Sequence, residues 1–164
     1  MIESNVDLFL LFAAALTLLW AAASDASRYT IPNAAVLALA AVFLPYALLT
    51  LSPLAVLAHA GVALAAFAVG AGLFALRIMG GGDVKLIAAV GLWAGPASAL
   101  PALFVMAIVG GVLALAMVAA SVVRTRLAIA GFGTPGPTVK SLPLPYGVAI
   151  AAAGWWALYS MITI

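Results

Sequence analysis

The sequence has no cysteine, one histidine and only four carboxylate side chains in 164 residues. The missing cysteines exclude disulfides, thiolate metal sites and cysteine nucleophiles. A lone His59 excludes the histidine clusters on which hydrolytic zinc sites are built. Charge of either sign is scarce, at 6% of residues, against roughly a quarter in water-soluble globular proteins. Six lysines and arginines, for a net charge of +2, are too few to form a nucleic-acid surface. Basic residues are also missing from the start of the chain. The first apolar run, Leu8 to Ala23, is preceded by Glu3 and Asp7. A secretory signal begins with a basic region instead, so this run reads as a retained helix.

What remains is hydrophobic: 68% of the residues. This composition places the chain in the lipid bilayer as an all-α membrane protein. Its length allows one bundle and no second soluble domain, so residues 1–164 read as a single integral-membrane domain. Punctuation divides the chain into apolar stretches at Leu8–Ala23, Ala34–Thr50, Leu54–Leu76, Val84–Leu100, Pro101–Val123 and Leu144–Ile164. The fourth is the short one. Its uninterrupted part, residues 84 to 94, precedes Gly95, Pro96 and Pro101, and at about 1.5 Å per residue it falls short of ~30 Å of hydrocarbon.

Basic residues arbitrate between a re-entrant and a spanning fourth segment, because Lys and Arg collect in short cytoplasmic loops. With six crossings, Arg28, Arg77, Lys85, Arg124, Arg126 and Lys140 all share one side. Glu3, Asp7, His59, the loop with Gly95 and Pro96, and both termini fall on the other. A re-entrant segment would move Arg124, Arg126 and Lys140 outside. The expectation is therefore a six-transmembrane-helix bundle with both termini on the outer side. Residues 124–141, rich in glycine and proline, are expected to form an irregular cytoplasmic loop. Gly70, Gly72, Gly91, Gly95, Gly110 and Gly111 read as points of close helix packing.

This topology puts Asp25, closing the first stretch, and Asp83, opening the fourth, at the same membrane face. They are the only acids there. An interfacial aspartate can be no more than a cap: Asp83 suits a helix N-terminus, and Asp25 with Arg28 suits an i, i+3 ion pair. Yet Gly80, Gly81 and Gly82 are not needed for a cap and each costs about 1 kcal/mol relative to alanine within a helix. A row of glycines suits the close approach of another backbone, such as an extended substrate. Two carboxylates around one water can divide peptide hydrolysis, one taking the proton from water and the other, protonated, polarising the carbonyl. That chemistry needs neither metal nor cofactor. A serine nucleophile would have only Lys85 or Lys140 as its base. Helix ends favour anions at the N-terminus and disfavour them at the C-terminus, which suggests Asp83 as the ionised base and Asp25 as the acid.

The residues resemble the GxGD-type aspartyl prepilin peptidases, in particular the short CpaA/TadV-like members. Gly80, Gly81, Gly82, Asp83, Val84, Lys85 and Leu86 resemble the GxGDxKL signature. Asp25 to Asn33, ending Ile31-Pro32-Asn33, resemble its aspartate partner, and Pro145-Tyr146-Gly147 resemble the start of the last helix. The resemblance implies that Asp25 and Asp83 are the catalytic pair. It also implies cleavage of the basic leader of a pilin-like precursor, cytoplasmic to its hydrophobic segment, at the bacterial inner membrane. Longer relatives carry an N-methylation activity and a cysteine-bearing insertion, neither of which transfers to this cysteine-free chain.

Supporting roles follow for neighbouring residues. Pro32 suits the first turn of the second helix, where its missing N–H is harmless, and next to Asn33 it would fix the hinge beside Asp25. Lys85 either biases Asp83 toward its anion or reaches the inner headgroups, and Arg28 has the same two options. Pro145 and Gly147 would set close packing of the last helix near the site. Two non-enzymatic classes compete. A small ion-coupled carrier would place its acids near the bilayer midplane, and a structural membrane subunit would tolerate Asp→Asn at both positions.

Overall fold

The computed structural model describes residues 5–132, 134 and 144–163. Glu3 and Lys140, named above, and most of the expected loop, residues 133 and 135–141, lie outside the described residues. The described chain is all-helical: α1 (Asn5–Arg28), α2 (Asn33–Thr50), α3 (Pro53–Ala75), α4 (Gly81–Ile129) and α5 (Tyr146–Thr163). Helix is the expected answer for such a sequence, because a backbone in hydrocarbon must satisfy its hydrogen bonds within the segment. The helices α1 to α4 are long and apolar enough to cross a membrane.

Local chemistry sets the boundaries. Ser52 caps α3, its hydroxyl accepting from the Ala55 N–H at 3.3 Å, with Pro53 at the first helical position. At the other end of α3, Arg77 takes a left-handed φ of 58°. The N–H of Ile78 reaches back to the Leu73 carbonyl and that of Arg77 to Phe74, a Schellman arrangement. Helix α1 ends similarly at Tyr29 (φ 51°), whose N–H donates to the Asp25 carbonyl at 2.8 Å.

Five helices, rather than six separate ones, make up the described residues. The fourth and fifth apolar stretches are joined in α4, and the interruption lies at Gly95 (φ 56°, ψ −173°), at the start of the expected outer loop, while Pro101 sits within the helix. Pro96 follows the break directly, where no helical donor is required of it. The break redirects the chain. Val90 and Leu18 lie against Gly154, Ser98 bonds Ser160 at 2.7 Å, and Gly110 lies against Ala149. The contact point on α5 thus moves outward and then returns, so α4 is two antiparallel limbs, residues 81–94 and 96–129. The helix also runs past the expected loop start at Arg124 to Ile129, because VVRTRLAI contains no breaker before Gly131.

Gly95 is fixed at its turn by α3. His59 Nδ1 pairs with the Leu92 carbonyl at 2.6 Å, its ring stacks on Phe43, and a Cβ at position 95 would collide with the imidazole. His59 is thus a packed residue. Phe43, Tyr46 and the buried Trp93 complete an aromatic cluster there, with Trp93 Nε1 donating to the Leu39 carbonyl at 3.0 Å. The main core joins α1, α2, the first limb of α4 and α5 through Leu18, Leu39, Leu86, Trp93 and Ile150. Asp25 and Asp83 lie at the opposite end of this core from His59.

Candidate active site

Three chain segments meet at that end. The last turn of α1 carries Asp25, which is buried at 5% exposure. The chain then turns through Tyr29, held in part by the Ser24 hydroxyl, which donates to the Thr30 carbonyl at 2.8 Å. Pro32 enters α2 as its N-cap, one residue before the expected position, with φ −63° and ψ 133°. Its carbonyl accepts from the N–H groups of Ala35 and Val36.

The second segment is the glycine run. Gly80 is the N-cap of α4, and Asp83, three residues on, turns its carboxylate back so that Oδ2 accepts the Gly80 N–H at 3.2 Å. Asp83 thus serves the helix N-terminus from the third helical position, whereas the N-cap itself is Gly80. Each glycine faces a neighbour of its own chain. A Cβ at Gly80 would lie 2.9 Å from Asp83 Oδ2, one at Gly81 3.5 Å from the Phe74 ring, and one at Gly82 3.2 Å from the Ile31 side chain. The Gly82 contact brings the α1–α2 turn against the start of α4. None of the three takes a positive φ, so closeness, not backbone handedness, explains them.

The third segment is the start of α5. The Gly147 N–H donates to Asp25 Oδ2 at 2.6 Å, and a Cβ at 147 would lie 2.9 Å from both Cβ and Oδ2 of Asp25. Pro145 precedes it, its carbonyl accepting from the Val148 N–H at 3.2 Å in the first turn. Sequence reading placed Gly147 near the site as a packing residue but not as a donor. Nothing in residues 145–147 signals a partner on α1. The bond also alters the argument from helix ends: both carboxylates accept an N–H at a helix N-terminus, Asp83 at α4 and Asp25 at α5.

Lys85 and Arg28 take different paths. Lys85 Nζ donates to Asn33 Oδ1 at 3.0 Å, tying the first residue of α2 to the first turn of α4. Arg28 is exposed and forms no ion pair with Asp25 among the described residues. No group of three or more His, Asp or Glu side chains is gathered among the described residues. The site offers instead two carboxylates, each held by a backbone donor, where three helix ends converge.

A sequence model described as the type IV leader peptidase family matches residues 12–115. That range includes both aspartates, the glycine run, Asn33 and Lys85; Gly147 and α5 lie beyond it. No curated protein and no solved structure gives a match.

Proposed function

Because the chain belongs to the type IV leader peptidase family, we propose that it is a multi-pass aspartyl endopeptidase that removes the basic leader of pilin-like precursors through Asp25 and Asp83. The observation that carries this reading is the convergence of the two aspartate segments, through Gly82 on Ile31, Lys85 on Asn33 and Gly147 on Asp25. In the reaction, one carboxylate takes a proton from water as the water oxygen adds to the scissile carbonyl carbon. The other, protonated, donates to the carbonyl oxygen. Collapse of the tetrahedral diol breaks the C–N bond, the amine nitrogen takes up a proton, and the leader leaves with a new carboxyl terminus. Two carboxylates acting on one water titrate as a coupled pair.

The antiparallel limbs of α4 support six crossings of the bilayer, two of them by α4. The clustering of Arg28, Arg77 and Lys85 at the aspartate end supports a site at the cytoplasmic face of the bacterial inner membrane, with both termini outside. A carrier reading draws no support from acids at one end of the bundle. The test is co-expression of a pilin-like precursor with the wild type, Asp25→Asn and Asp83→Asn. The wild type shortens the precursor and both variants leave it intact; leader removal by either variant would rule out the two-aspartate mechanism.

A further inference from the structure

One apolar cavity shares two of its walls, α4 and α5, with the site. It has a volume of about 440 Å³ and lies between α3, both limbs of α4 and α5. Each helix contributes one face at helical spacing, with Val62, Ala66 and Leu73 on α3, Gly91 on the first limb of α4 and Ala102 on the second. Residues 62 to 73 extend about 16 Å along α3, or three helical turns. The cavity is thus a trough parallel to the bundle.

Its occupant is suggested by where it ends. Met79 lines both this trough and a second, more polar pocket formed with Phe74, Arg77 and Gly80. Gly80 is the residue whose N–H holds the Asp83 carboxylate. A helix lying in the trough would therefore present one end to Asp83 and extend away from it toward the His59 end of the bundle. Helix α3, one wall, packs against α4 through Gly70 on Val84 and Ala63 on Gly91, while Gly70 is its one fully buried residue, so much of its surface is left open. Alanine and glycine on the facing walls let a further helix come close, which is how apolar helices associate in lipid.

We propose that this trough receives the apolar segment of the precursor that follows the scissile bond, seating it beside α3 with its N-terminal end at Asp83. The assignment rests on the peptidase reading above and adds where the substrate lies. It makes the trough a determinant of affinity for the membrane-borne precursor and irrelevant to a short leader peptide that lacks the apolar segment.

The chain has no cysteine, so single-cysteine variants are specific probes. In membranes holding Asp83→Asn enzyme and a precursor with one cysteine in its apolar segment, oxidation should yield a disulfide adduct with Ala66→Cys and with Ala102→Cys. Phe12→Cys, on the exposed face of α1, should yield none. In the active enzyme, Ala66→Phe should raise KM for the full precursor roughly tenfold or more, while cleavage of a soluble leader-spanning peptide keeps its rate. Equal adducts at Phe12→Cys, or none at the trough positions, with wild-type cleavage intact would overturn the trough and leave the peptidase standing. Unchanged KM in Ala66→Phe together with loss of co-purified phospholipid would assign the trough to an acyl chain instead. Failure of the wild type to cut any precursor would remove the peptidase reading and the trough assignment with it.

Discussion

The backbone N–H of Gly147 donates a 2.6 Å hydrogen bond to Oδ2 of Asp25, across 122 residues of sequence. It fastens the start of the last helix to the end of the first. The bond needs glycine, since any Cβ at 147 would lie 2.9 Å from the carboxylate it serves. Gly147→Ala must therefore push Asp25 or α5 away, at the ~1–3 kcal/mol typical of overpacking. The expected result is a fall in kcat for leader removal of about tenfold or more, with a lower unfolding temperature in detergent. Gly111→Ala, where a Cβ meets nothing within 4 Å, is the control and should leave both unchanged.

The Lys85–Asn33 hydrogen bond makes a separate claim. Both side chains are exposed, so the bond is worth only about 0.5–1.5 kcal/mol, and its importance is in aligning α2 with the start of α4. Asn33→Ala and Lys85→Ala should each slow cleavage several-fold, and the double variant should be no slower than the worse single one. A double-mutant cycle on kcat/KM reads this directly. Additive losses would mean that the two residues act independently, with Lys85 working through the headgroups instead.

Those two relationships mark the limit of what the sequence reveals. Asp25, Asp83 and the glycine run could be picked out because charge is so scarce that every carboxylate is conspicuous, and the basic residues give the aspartates a common face. The helices were legible from apolar length. Partners were not. An N–H donor carries no residue-specific signal, so Gly147 appeared as a packing glycine. Lys85 had two plausible destinations, neither of which was Asn33. The glycines at 80–82 suggested room for a foreign backbone, whereas Ile31, Phe74 and the Asp83 carboxylate occupy those approaches. The break in α4 was legible at Gly95 and Pro96, though not that Gly95 alone makes it. In the fold, Gly95 can take φ 56°, a conformation that side-chain-bearing residues avoid.

Gly95 consequently has two reasons to resist substitution, and they can be separated. Gly95→Ala places a methyl group on the His59 ring and forces alanine into a positive φ. That positive-φ, extended-ψ conformation alone costs about 1–3 kcal/mol for a residue with a side chain. Removing the ring with His59→Ala relieves the collision but not the backbone. In detergent, Gly95→Ala should unfold at lower temperature than wild type, and the added destabilisation should shrink, without vanishing, in the His59→Ala background. Full rescue would show that the backbone at 95 is unstrained and that only the imidazole demands glycine.

Folding back at Gly95 also predicts which positions share a side of the membrane. If α4 crosses twice, Ala97, just after the break and exposed, lies at the same face as Ser52 in the α2–α3 turn, opposite Ile78 and Thr134. Single cysteines at these four positions can be labelled in intact cells with a membrane-impermeant maleimide. Ser52→Cys and Ala97→Cys should react from outside, and Ile78→Cys and Thr134→Cys only after the membrane is opened. A single-pass α4 gives a different pattern. Its 49 residues would extend about 73 Å and hold Ala97 within the hydrocarbon, where it would not react from either side. Labelling at Ala97 thus decides between the two topologies. Labelling at Ile78, next to Gly80, decides which face of the membrane the aspartates serve.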